Sequence, residues 1–131
     1  MNYILRKGNK VELDGEPLNT TFYKYLTHLS MSYFKSIDAM RKATKTYCNI
    51  KSEMPMYLSK EILLMYSGNL QSDDIILINY FSIKDTIIYI DKTTFIFKDE
   101  TKLTISMSEY RVKRMIKNAK KLYSYVLENN I

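Results

Sequence analysis

Glu61-Ile62-Leu63-Leu64-Met65-Tyr66-Ser67-Gly68-Asn69 opens the stretch that decides the fold, and the stretch runs on to Ser106. Ile62 to Tyr66 is a short apolar run closed by the turn-forming Ser67-Gly68-Asn69. Asp73-Asp74 then precedes a second run, Ile75 to Tyr80. Thr86 to Ile90 and Thr93 to Phe97 follow, separated by Asp91-Lys92, and Asp99-Glu100 turns the chain into Lys102 to Ser106. In that last run Leu103 and Ile105 alternate with Thr104 and Ser106, the period of a strand with one buried face. So many short, closely spaced runs are most economically a meander of antiparallel strands.

Outward from this block, the C-terminal segment reads as a helix. Ser106 or Ser108 can cap it and Glu109 suits its first turn. Val112, Met115/Ile116, Ala119, Leu122/Tyr123 and Val126/Leu127 make one apolar stripe. On the N-terminal side, Tyr3 to Leu5 and Val11 to Leu13 are compact apolar segments beside the turn signal Asp14-Gly15. Asn19-Thr20-Thr21 can cap a helix through Phe22, Tyr23, Leu26 and Leu29, ending or fraying at Ser30-Met31-Ser32. Ser36 to Ala43 reads as a loop or short helix leading into a strand over Thr44 to Ile50, with Pro55 ending that region or lying on an edge. The expected fold class is α+β: a mainly antiparallel sheet with an N-terminal helix and a basic amphipathic C-terminal helix, in one domain spanning residues 1–131.

Composition narrows the function classes. With 46% hydrophobic and 26% charged residues, the chain is neither disordered nor membrane-like. Its most apolar tract, Ile75 to Ile90, is interrupted by Asn79, Lys84 and Asp85, so no spanning helix is expected there. The N-terminus reaches Gly8 and Lys10 before any long apolar stretch, unlike a signal peptide, and the expected location is cytoplasmic. One cysteine, Cys48, and one histidine, His28, cannot assemble a thiolate or paired-histidine metal site within one chain. No G-x-S-x-G elbow, P-loop or G-x-G-x-x-G loop occurs, and Asp73-Asp74 reads as turn residues. The chain is therefore expected not to be an enzyme and to need no cofactor or metal.

The formal net charge of +6 favours acidic partners. Two basic clusters carry much of it. Lys35, Arg41, Lys42, Lys45 and Lys51 are interleaved with Tyr33, Phe34 and Tyr47. Arg111, Lys113, Arg114, Lys117, Lys120 and Lys121 put six cations into eleven residues, mostly off the apolar stripe. Phosphate contacts need such side chains, and they set affinity without conveying sequence. Taken alone, the same run also decorates the solvent side of an ordinary amphipathic helix. Twelve tyrosines, five phenylalanines and eight methionines leave open a second class, a small protein-interaction module or inhibitor without DNA binding.

The order of elements resembles the competence transcription factor family, ComK. Ser32-Tyr33 and Arg41-Lys42-Ala43 are similar to its small-Tyr and Arg-Lys-Ala elements. Ser52-Glu53-Met54-Pro55-Met56, leading to Ile62-Leu63-Leu64-Met65, is similar to its paired-proline element, here with one proline, and the strand after it. Gln71 to Tyr80 stands where the family usually has a tryptophan-bearing strand, here without the tryptophan. Thr93 to Ser106 and Ser108 to Leu122 match its β-pair and basic helix. The likeness runs from about Val11 to Leu122. It implies a double-stranded DNA-binding transcriptional regulator of A/T-rich sites, homo-oligomeric and open to control by an adaptor protein. The implied DNA contacts are Lys35, Arg41, Lys42, Lys45, Arg111, Lys113, Arg114, Lys117, Lys120 and Lys121, with Arg41 entering a narrow, negative minor groove.

Overall fold

In the computed structural model, which describes residues 1–131, the chain runs β1 (Tyr3–Lys7), β2 (Lys10–Leu13), β3 (Glu16–Leu18), α1 (Phe22–Ser32) and α2 (Ile37–Cys48). It continues through β4 (Met56–Ser59), β5 (Ile62–Met65), β6 (Asp74–Asn79), a 3-10 turn (Tyr80–Ser82), β7 (Ile83–Ile88), β8 (Thr93–Phe97), β9 (Lys102–Ile105) and α3 (Glu109–Glu128). The fold is α+β, and every strand pairing is antiparallel. No helix is long and apolar enough to cross a membrane.

The strands form three successive meanders. β1-β2-β3 and β4-β5-β6 join through β1 and β6 into a six-stranded sheet of order β3-β2-β1-β6-β5-β4. The third meander, β7-β8-β9, is a separate three-stranded sheet. Side-chain alternation explains how the sheets stack. Along β5, Ile62 and Leu64 point to one core with Ile4, Leu77, Phe22 and Leu26; Leu63 and Met65 point to the other with Phe95, Phe97, Val112 and Met115. α1 therefore covers one face of the large sheet, while α3 and the small sheet cover the other. A central strand buried on both faces has to be apolar at every position, which is why Ile62 to Met65 shows no polar alternation.

One helical region departs from the sequence expectation. Thr44 to Ile50 is no strand: α2 runs unbroken to Cys48 and ends at Asn49 in the left-handed region (φ 55°). Ile37, Met40, Thr44 and Cys48 recur at helical spacing, Ser36 caps the Ala39 N–H at 3.3 Å, and Asp38 occupies the first turn. Thr44 and Cys48 satisfy periods of two and of four alike, and the cap decides between them. α1 ends at Ser32, within the expected Ser30-Met31-Ser32 stretch, where the Ser30 and Ser32 hydroxyls donate to the Thr27 and Leu29 carbonyls at 3.0 and 2.6 Å. β3 and β4 are short edge strands that the apolar pattern did not announce.

Candidate nucleic-acid interface

α3 forms as its sequence directs. Ser108 caps the Arg111 N–H, and Val112, Met115, Ala119, Leu122 and Val126 are buried along one stripe. Beside it lies α2: Tyr47 stacks on Tyr125 at 6.0 Å, and Cys48 is buried at its end. Burial pushes the Cys48 thiol up, against a smaller downward pull from Lys121.

The two helices hold nine of the twenty Lys and Arg residues but only three of the fourteen Asp and Glu residues. They therefore carry the whole formal charge of +6, while the remaining eleven cations and eleven anions cancel. On α3 the two carboxylates, Glu109 and Glu128, stand at the ends and leave the six cations together between them.

Those cations have different fates. Lys35 is withdrawn from the surface: its ammonium donates to the Tyr57 and Leu58 carbonyls at 3.1 and 2.9 Å and sits over the Tyr57 ring. Burial lowers its pKa. Arg41, expected to project into a groove, is turned inward. Its Nε is enclosed, and its charge lies beside the fully buried Tyr66 hydroxyl, which burial holds above its ordinary value and Arg41 partly brings back. Arg114 is bound to Glu53 at 2.6 Å and lies over the Tyr110 ring, and Arg111 donates Nε–H to Ser67 Oγ at 3.0 Å. Lys113 pairs with Glu109 at 2.7 Å on the exposed face of α3.

Lys42, Lys45, Lys117, Lys120 and Lys121 remain exposed with no carboxylate partner. Lys42 and Lys45 stand on α2, and Lys117, Lys120 and Lys121 on the neighbouring α3. The arginines fix the helices in place and the lysines face solvent. Nowhere do three or more His, Cys, Asp or Glu side chains gather as metal ligands.

Glu53 is the residue that sequence reading passed over. It is buried, its backbone is left-handed (φ 52°), and it accepts from the Gly68 N–H at 2.6 Å as well as from Arg114. No local pattern marks it; its partners lie 15 and 61 residues away and only the fold collects them. Burial alone would raise its pKa. The hydrogen bonds from Gly68, Ser67 and Arg114, together with the Arg114 charge, outweigh burial and hold it below the ordinary 4.5. A carboxyl depressed in the folded state adds stability that is complete above its unfolded pKa and is lost as pH falls through the folded one. Glu53→Gln is therefore expected to be less stable than the parent at pH 7, with the difference shrinking as urea titrations move below pH 4.5. A difference constant from pH 7 to pH 3 would show that the Glu53 charge contributes nothing.

Comparison with protein-family models, with curated proteins and with solved structures finds no match to this chain.

Proposed function

We propose that this chain is a double-stranded DNA-binding transcriptional regulator that holds the duplex backbone against the α2–α3 face. The observation that carries the reading is the segregation of charge: two adjacent helices hold all of the +6, and five of their lysines are exposed and unpaired. Opposite charges spread evenly over a surface cancel at the distance of a phosphate chain, whereas a one-sided face attracts it and releases its counterions. Lys42, Lys45, Lys117, Lys120 and Lys121 are the contacts in this reading. Arg41, Arg111 and Arg114 position the helices behind them.

Preference for A/T-rich sites and association into homo-oligomers enter from the resemblance to the competence transcription factors. With Arg41 turned inward, a preference for A/T sites would come from lysines lining a narrow, negative minor groove, which is readout of shape and not of base edges. Fluorescence anisotropy with A/T-rich and G/C-rich duplexes over a salt series tests both parts. The expected result is binding that weakens linearly in log–log form with salt, with an A/T preference surviving near 0.15 M, on the order of physiological ionic strength. Absence of duplex binding would refute the reading.

A second reading, a protein-interaction module without DNA binding, is favoured by a different observation. Phe34 is 99% exposed in a left-handed backbone conformation at the end of α1, beside exposed Met31. Such apolar exposure is a feature of contact surfaces. Protein association insensitive to salt, with no duplex binding, would select it.

A further inference from the structure

The two sheets have four edge strands, and three of them are blocked. β3 has three residues and contains Pro17, which has no N–H to donate. β4 carries a register irregularity between Tyr57 and Ser59, and the Lys35 ammonium occupies two of its carbonyls. β7 is irregular between Ile83 and Asp85 and bears charged Lys84 and Asp85. These are the ordinary devices against unwanted strand pairing. β9 is short and bears Lys102 at its start, but it has no proline, no register irregularity and no side chain bonded to its carbonyls. Its register against β8 is regular from Lys102 to Ile105, and it has a strand partner on one side alone.

Alongside β9 lies a cleft of about 520 Å³. Leu103 to Met107 line it consecutively. Alternate residues of a strand point to opposite faces, so Leu103, Thr104 and Ile105 lining it together put the edge of β9 on the space, with Ser106 and Met107 continuing past the strand end. The far wall is the paired ends of β1 and β6, where Leu5 and Ile76 stand opposite each other in the ladder. Half-buried Leu5, Ile76, Leu103 and Ile105 give the cleft apolar patches among polar and charged neighbours such as Ser67, Thr104 and Ser106. Its charges are Arg6, Lys7 and Arg111 against the single carboxylate of Asp74. Arg6 is already paired with Asp73, at 3.3 Å, whereas Lys7 has no carboxylate partner and Arg111 engages Ser67 through Nε.

We propose that β9 takes an extended, acidic segment of a partner protein as a fourth strand of its sheet, within this cleft. The backbone of the incoming segment pairs with the free edge of β9. Its apolar side chains lie against Leu5, Ile76, Leu103 and Ile105, and its carboxylates meet Lys7 and Arg111. The four residues of β9 span roughly 13 Å, a length that main-chain pairing can use for affinity while alternate side chains supply selectivity. This surface is separate from the five lysines assigned to DNA, and the inference stands whether or not the chain binds a duplex.

The test is a titration of the full-length, nitrogen-15-labelled chain with a nine-residue peptide alternating valine and glutamate, and with its valine–lysine counterpart. The acidic peptide is expected to shift the amides of residues 102–106, slow their exchange with solvent, and bind at least about tenfold more tightly than the lysine peptide, a difference of roughly 1.4 kcal/mol. Lys7→Glu, at an exposed strand end, should remove much of that preference, and Lys7→Glu with Arg111→Glu should reverse it. Equal affinity for the two peptides, no binding, or shifts confined to the α2 and α3 lysines would overturn the proposal. Displacement of the peptide by an A/T-rich duplex would assign the cleft cations to DNA instead. Concentration-dependent shifts of residues 102–106 without peptide would assign the edge to a second copy of the chain, and either result overturns it.

Discussion

Replacing Lys117, Lys120 and Lys121 together by alanine is expected to lower duplex affinity on the order of 10²–10³-fold at 0.1 M salt and to flatten the log–log salt slope by about 2.7. The slope follows from counterion release, about 0.9 per neutralised phosphate on B-form DNA, and the affinity loss follows from extrapolating that slope down from 1 M. The fold should be unaffected. All three side chains are exposed, none pairs with a carboxylate, and alanine is the better helix former. A control variant, Lys10, Lys24 and Lys60 to alanine, removes the same charge from exposed positions off the two helices. Equal losses in the two variants would mean that net charge, and not the α2–α3 face, attracts the duplex. An unchanged slope in the α3 variant would remove those lysines from the interface altogether.

That prediction uses lysines which the sequence already offered, and the contrast with the arginines shows what sequence reading reaches. Periodicity places Lys117, Lys120 and Lys121 off the apolar stripe of α3, and the surface position follows from local geometry. Arg41 and Arg114 occupy equally plausible helical positions, yet one is drawn toward the Tyr66 hydroxyl and the other is bound by Glu53. Those partners come from distant segments, and no window of a few residues contains them. The same division holds for the fold. Ile62 to Met65, Thr93 to Phe97 and α3 are legible because burial dictates their pattern one residue at a time. The pairing of β1 with β6, which merges two meanders into one sheet, joins segments about seventy residues apart and leaves no local mark. α2 shows the intermediate case: its apolar spacing fits two periods over Thr44–Cys48, and the Ser36 cap and Asn49 stop select the helix.

Asn79 looks in the sequence like a polar interruption of an apolar run, and the structure makes it a junction. It is 3% exposed and sits where β6 passes into the 3-10 turn. Its Oδ1 accepts from the Leu63 N–H at 3.0 Å and the Phe81 N–H at 3.2 Å. Its Nδ2 donates to the Met1 and Glu61 carbonyls, both at 2.9 Å. Two acceptor positions and two donors are the full capacity of a carboxamide, and all four are engaged. One side chain therefore ties the N-terminus, the β4–β5 turn, β5 and the 3-10 turn together. Asn79→Ala leaves two N–H groups and two carbonyls without this partner, the Leu63 N–H fully buried and the others half-buried. The expected loss is about 3–4 kcal/mol, read as a lower urea midpoint at unchanged m-value, and it is a large share of the roughly 5–15 kcal/mol that holds a domain folded. Asn79→Asp keeps both acceptors but sets a carboxylate against the Met1 and Glu61 carbonyls. Burial and those dipoles raise its folded pKa, so its penalty is full at neutral pH and shrinks as pH falls toward the unfolded value of about 3.9. Acid should thus narrow the gap between Asn79→Asp and the parent. An Asn79→Ala variant within about 1 kcal/mol of the parent would mean that the four backbone groups find other partners, and that the junction is held by the apolar packing of β5 and β6 alone.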